Sequence, residues 1–259
     1  MTTSNSNINA SSKNRDFLSR TYFTLCALAL FSPCTAMAAG WEIDPVRVEL
    51  SPHQQTAAIT LKNGSDQPTS IQIEAVAWSQ TEGKDIYIPT KELLVSPPIV
   101  TIAPQAEQII RVALRRQADA SNELTYRINL QELPVKPAPG FTGVQVALRI
   151  SLPVFIKPQN GEAEPKATWK VSRVSDKQVK VTVQNTGNAH IQVSDFALYA
   201  QGMTEAIASE SGSSYVLSGQ THEWVLPTSP SEKLTIKHLR LKAYTDADNF
   251  DTELVLGKP

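Results

Sequence analysis

Residues 143–156 read "GVQVALRISLPVFI" and alternate apolar and polar side chains almost without interruption. Val144, Val146, Leu148, Ile150 and Leu152 fall on one face, Gln145, Ala147, Arg149 and Ser151 on the other. A period of two held over this length is the pattern of a β-strand with one buried face. Pro153 has no N–H to give to a ladder, so this end of the segment belongs at a sheet edge or a bulge. A long apolar edge strand invites another chain to pair with it, and natural sheets avoid one unless it is covered or used.

Upstream, the same period recurs in short segments separated by turn residues, and helical patterns are hard to find. "WEIDPVRVEL" alternates around a proline, "TAAITLKNGS" ends in the turn pair Asn63-Gly64, and "TSIQIEAVAWSQ" leads through Glu82-Gly83 to "DIYIPT". "ELLVSPPIVTIAP", "EQIIRVALRR" and "ELTYRINLQELP" complete a set of about seven strands, the number of an immunoglobulin-like sandwich. "KPQNGEAEPKA" is polar and aperiodic and reads as a linker. Beyond it "ATWKVSRV", "QVKVTVQNTG", "AHIQVSDFALYA", "SYVLSG", "THEWVLP", "LTIKHLRLKAYTDAD" and "FDTELVL" form a second, smaller set. The expected class is all-β, with one sandwich over residues 39–158 and another over 159–259.

The first 38 residues read as a cleaved export signal. Lys13, Arg15 and Arg20 precede the apolar run "YFTLCALALF", and Ala36 and Ala38 stand at the spacing a signal peptidase reads. That run is too short for the ~20 residues of a spanning helix, so no membrane insertion is expected. Both cysteines, Cys26 and Cys34, lie in this leader, so the exported chain is expected to hold by burial alone, without a disulfide. The formal net charge of −1 and the few aromatics lack the basic footprint of a nucleic-acid binder.

Catalytic chemistry is not indicated. His53, His190, His222 and His238 are scattered, with no second His or Cys at metal-ligand spacing. There is no nucleophile elbow and no Gly-rich phosphate loop. Asp246 and Asp248 lack the oxygen-ligand series of a calcium loop and read as turn residues. No metal, cofactor or enzymatic activity is expected. "NGS" at Asn63 fits a glycosylation sequon but falls on an expected turn.

An exported chain carrying, in this order, "WEIDPVRVELSP", "AITLKNGSDQPTSIQIEAVAW", "LLVSPPIVTIAPQAEQIIRV", "YRINLQELP" and an alternating strand ending "PVFIKP" resembles the periplasmic chaperones of the chaperone–usher pilus pathway. "ELTYRINLQELP" with "SLPVFIKP" is more similar to the archaic branch of that family. The resemblance implies two immunoglobulin-like domains in a boomerang arrangement, located in the periplasm. It implies that an edge strand is lent to pilus (fimbrial) subunits that lack one, with release at an outer-membrane usher.

Val144, Val146, Leu148, Ile150 and Leu152 would then be the donated side chains. Two basic residues in the family's cleft grip the subunit's C-terminal carboxylate. The first aligns with Arg47; the second, normally a lysine, falls on Pro153. Arg127 on the preceding strand is the expected replacement, with Arg149 as a further substitute. The family's interdomain ion pair would use Glu123 and Lys157, with Asp246 or, by preference, Asp248 as the third member. The free chaperone is expected to hide its apolar edge, by self-association with a second copy. The competing reading, a pilus subunit or adhesin, calls for a single incomplete sandwich and typically a disulfide.

Overall fold

The computed structural model describes residues 1, 40–134, 142, 144, 146–229 and 237–258. The expected leader therefore lies outside the described residues apart from Met1, as do Gly143 and Gln145 of the opening stretch. Among the described residues the chain is all-β, with ten strands before the polar stretch 157–166 and seven after it.

The first ten strands build two sheets. One holds β1 (Trp41–Asp44), β3 (Thr56–Asn63), β8 (Glu107–Leu114) and β6 (Leu93–Ser96), in that spatial order. The other runs β2 (Val48–Leu50), β10 (Arg149–Ile156), β9 (Leu124–Glu132), β4 (Thr69–Thr81), β5 (Lys84–Pro89), and β7 (Ile99–Ile102) also pairs with β4. All pairings are antiparallel except that of β2 with β10. Counting each proline-broken stretch as one strand undercounts this set. "WEIDPVRVEL" gives β1 to one sheet and β2 to the other, and "ELLVSPPIVTIAP" gives β6 and β7 likewise. Proline removes a ladder donor, so the break in pairing is where the chain crosses between layers.

Between the layers, Ile59, Leu61, Ile110 and Val112 of the first sheet share one core with Ile73, Ile128, Leu152, Val154 and Ile156 of the second. Asn63 is buried among them. Its side-chain amide donates to the carbonyls of Gln67 and Ile102 while its Oδ1 accepts the Ser65 N–H, so it shapes the turn after β3. A glycosylation acceptor must be exposed, so the sequon reading of Asn63 is overturned.

The later strands are β11 (Ala167–Ser175), β12 (Gln178–Asn185), β13 (Ile191–Ala200), β14 (Ala206–Val216), β15 (Thr221–Pro227), β16 (His238–Thr245) and β17 (Asn249–Gly257). They form one hydrogen-bonded sheet, in the order β14-β13-β16-β17-β11-β12-β15, folded over a core that includes Trp169, Val181, Phe196 and Leu241. Asn185 repeats the role of Asn63. Buried at the end of β12, it donates to the carbonyls of Ala189 and Val216 and accepts from Gly187 N.

A third, smaller cluster of Trp78, Phe155, Leu217 and Tyr215 joins the two halves. It explains a change of pattern along β4. Ile71, Ile73 and Ala75 face the first core, but further on Val76, Trp78 and Gln80 are buried on the opposite face. The second half covers that end of the sheet, so both faces of β4 are closed there.

Candidate functional site

β10 has β9 beside it along its whole length, from Arg149↔Gln131 to Ile156↔Leu124. On its other side β2 reaches only Val154, Phe155 and Ile156. Among the described residues nothing else pairs on that side, so the half from Arg149 to Pro153 is an open edge. Main-chain groups alternate in direction along a strand, and Lys157 N donates to Leu50 on the β2 side while Leu148 O accepts from Glu132 on the β9 side. Odd-numbered residues thus point their N–H toward β2 and the open edge. The donor that Pro153 lacks belongs to that side, immediately where β2 stops.

The apolar row on this segment leaves its own core step by step. Leu152 is 4% exposed and belongs to the core of the first sandwich. Ile150 packs partly against that core, Leu148 is 44% exposed, and Val146 and Val144 reach 76% and 89%. Two corrections follow for the stretch read as one strand over 143–156. Among the described residues ladder pairing begins only at Arg149, and Leu148 just before it is tied to Glu132, accepting its N–H at 2.9 Å and donating to its Oε2 at 2.8 Å. Leu152 is already enclosed by its own domain and has no side chain to give away.

Two of the three expected anchor arginines meet. Arg47, just before β2, donates to Asp246 at 2.9 Å, to Tyr215 Oη at 3.3 Å and to Gln192 Oε1. Its Cζ lies 5.8 Å from the Tyr215 ring. Arg127, opposite Pro153, stands 4.0 Å over the Trp78 ring and 5.4 Å from the same Tyr215. The two differ in what remains for a ligand. Arg47 is held by three side chains from the second half of the molecule. Among the described residues Arg127 donates once, from Nη1 to the Ser151 carbonyl at 3.4 Å, and its buried Nε has no partner. Arg149 is not part of this group. It is exposed at the far end of β10, four residues from Pro153, or about 13 Å at strand rise.

Of the residues expected for the ion pair, Glu123 and Asp246 come together around His190. Glu123 Oε2 accepts both the backbone N–H of His190 and its Nδ1, at 2.9 and 2.7 Å. The His190 Nε2 lies 3.4 Å from Asp246 Oδ2, the oxygen that also takes Arg47. The third member is thus Asp246 and not Asp248, whose N–H and carbonyl close a turn with Thr245. Lys157 lines the same cavity as Glu123, Arg47 and Asp246 but makes no salt bridge among the described residues. His190 occupies the bridging position instead. Its ring lies flat on Phe155, 3.4 Å between centroids and 5° from parallel. Burial opposes charging this imidazole, yet Asp246 and Glu123 on its two nitrogens raise its pKa above the usual 6.5. Nothing in "NTGNAHIQV" marks it, because its partners are 67 and 56 positions away in sequence.

Among the described residues no group of three or more His, Cys, Asp and Glu side chains could hold a metal ion. The chemistry on offer is an unpaired strand edge, a graded apolar row and two guanidinium groups around one tyrosine.

This is the architecture of a known family. Residues 40–162 match the model for pili and flagellar-assembly chaperones, PapD N-terminal domain. Over this stretch the chain is similar to the PapD-like chaperones. Among curated protein sequences none matches. Among solved structures the chain is similar to a chain of the CsuC–CsuE chaperone–tip adhesion subunit pre-assembly complex, from archaic chaperone-usher Csu pili of Acinetobacter baumannii. That likeness has a TM-score of 0.62 at 20% identity, over 85% of this chain and 100% of the other. It is also similar to the CupB2 chaperone of Pseudomonas aeruginosa (TM-score 0.54, 18% identity, 83% and 100% covered) and to the E. coli chaperone DraB (TM-score 0.55, 18% identity, 83% and 98% covered). At these identities the likeness to solved structures establishes the fold: PapD-like chaperones share two β-sheet domains of the immunoglobulin type.

Proposed function

We propose that this chain is a non-enzymatic periplasmic chaperone that holds pilus subunits by strand donation and delivers them to an outer-membrane usher. In this reading residues 1–38 are removed on export, residues 39–158 form the subunit-binding domain, and residues 159–259 complete a boomerang. The carrying observation is the graded row on the open half of β10, where the apolar side chains of one face pass from the protein's core into solvent beside an unpaired edge. A subunit lacking one strand gains main-chain hydrogen bonds from that edge and fills its groove with Val144, Val146, Leu148 and the outer part of Ile150. Each such side chain contributes about 1.5–3 kcal/mol when fully buried, before ordering costs. Arg127 receives the subunit's C-terminal carboxylate, with Arg47 beside it. A guanidinium matches a carboxylate in a bidentate pair, and among the described residues the Arg127 Nε–H has no partner.

The deciding experiment is a periplasmic pull-down with the parent and with Val146 and Leu148 both changed to Ser. A small exported β-protein that copurifies with the parent and is lost from the folded double variant supports strand donation. Equal capture by both means that the edge is not the binding element. Sedimentation of the free chain, parent against double variant, tests whether a second copy covers the same edge.

A further inference from the structure

We propose that Asp85 is a positioning residue for Arg127, acting through Trp78, and that it thereby sets the direction in which the guanidinium meets a carboxylate. The inference rests on the anchor role proposed for Arg127 and deepens it.

Asp85 sits on β5, the strand at the far edge of the sheet from β2, and none of its hydrogen bonds among the described residues is to Arg127. Its carboxylate collects three donors. Trp78 Nε1 and Gln80 Nε2 reach Oδ1, and Tyr87 Oη reaches Oδ2, each at 2.9 Å. Gln80 is itself saturated by the second half of the molecule, donating to Tyr215 O and accepting from Leu217 N, both at 2.9 Å. The indole is therefore fixed from one end by a carboxylate and from its edge by the Tyr215 ring, 5.3 Å away and nearly perpendicular. Arg127 rests on the face so presented, at 4.0 Å.

Three physical consequences converge. A cation over an indole is bound most strongly when the ring cannot rotate away and is dry, and Trp78 is 3% exposed. A carboxylate accepting the indole N–H polarises the ring toward a more negative face, which strengthens its hold on the guanidinium. The two charges also attract through the ring. Burial raises the Asp85 carboxyl, but the Gln80, Trp78 and Tyr87 donors and the Arg127 charge outweigh it and keep the group ionised below the usual carboxylate range. Because the ring face, not a carboxylate, holds Arg127 in place, its Nε–H stays without an acceptor, leaving the guanidinium to a ligand rather than tied into a permanent salt bridge.

The test compares the parent chain with Asp85→Asn, which keeps an acceptor but removes the charge, and with Trp78→Phe, which keeps a ring but removes the N–H. The direct readout is the solvent exchange of the Arg127 Nε–H in the free protein, by NMR. Both variants are expected to speed it by about fivefold as the ring loosens its hold, with Tm of Asp85→Asn close to the parent. In parallel, an alternating apolar peptide is titrated once with a free C-terminal carboxylate and once as its amide. The parent is expected to prefer the carboxylate, and Asp85→Asn to lose part of that preference while binding the amide as before. Exchange of the Arg127 Nε–H unchanged in both variants overturns the proposal. A parent that binds both peptides equally removes the anchor reading instead, and the exchange measurement still decides what Asp85 does.

Discussion

The His190 imidazole lies parallel to the Phe155 ring at 3.4 Å, so a residue of the second half stacks on the strand whose other end is the open edge. From that position it reaches Glu123 of the first half and Asp246 of the second.

This arrangement makes the contact between the halves pH-dependent, and the sign follows from the direction of the shift. The folded-state pKa of His190 is raised above 6.5. Its contribution is therefore fully present below about pH 6.5 and fades as pH rises through the folded value. The groups facing it are Glu123, Asp246 and Tyr215, with Arg47, Glu49 and Lys157 in the same cavity. His222 works in the opposite sense, since burial lowers its pKa and it resists protonation in the fold. The difference in Tm between the parent and His190→Gln isolates the first effect. It is expected to shrink steadily from about pH 6 to pH 8.5, and a difference independent of pH would exclude a charged His190.

Asp246 adds an acid limit. Burial raises its carboxyl, but His190, Gln192 N–H and Arg47 outweigh this and hold it below 3.8. Its contribution is present above about pH 4 and is lost as pH falls through the lower, folded value. Asp246→Asn is expected to flatten the stability profile in that acid range, whereas Asp248→Asn, whose backbone alone closes the turn, should leave it unchanged. Chemical denaturation at a series of pH values measures both.

The apolar row on β10 divides into stability and binding positions. Leu152→Ala is expected to cost about 2–5 kcal/mol, because it opens a cavity in a closed core. Val146→Ser should stay within about 0.5 kcal/mol of the parent, since that side chain is largely exposed, and Leu148→Ser, less than half exposed, should cost more than Val146→Ser and less than Leu152→Ala. Urea unfolding of the three variants decides it, and a large loss in Val146→Ser would place that side chain inside the protein's own fold.

Arg47 and Arg127 should separate in the same way. Arg47→Ala takes one of its donors from Asp246 and the guanidinium donor from Gln192 Oε1, and is expected to destabilise by about 1–3 kcal/mol. Arg127→Met removes a buried N–H with no partner and keeps an apolar stem over Trp78, so its Tm should equal or exceed the parent's while subunit capture falls.

Gln80→Leu tests the latch between the halves. The buried Leu217 N–H and the Tyr215 carbonyl would lose their side-chain partner, at a cost of about 1–3 kcal/mol. Domain-sensitive probes such as Trp78 fluorescence should then detect a transition that precedes global unfolding.

The fold class, the strand segments apart from their division at the prolines, and the open edge were legible in local pattern. Alternation along "TSIQIEAVAWSQ" or "QVKVTVQNTG" reports which residues face a core, because side chains of a strand point to opposite faces in turn. Pro153 marked the edge because it lacks a donor wherever it sits. Arg47 and Arg127 came from the family pattern, and the structure brings them together.

What the chain pattern could not carry is everything that depends on two distant segments meeting. Trp78 and Gln80 look like the solvent face of β4 until the second half covers them. His190, not Lys157, bridges Glu123 and Asp246, because a loop separated from both in sequence places its ring on Phe155. Leu152 shares the parity of Val146 yet is buried where Val146 is exposed, since a strand's period says which face a residue takes and nothing about where the opposing layer ends. Periodicity is a property of one segment, whereas burial and ion pairing belong to the surfaces that segments make together.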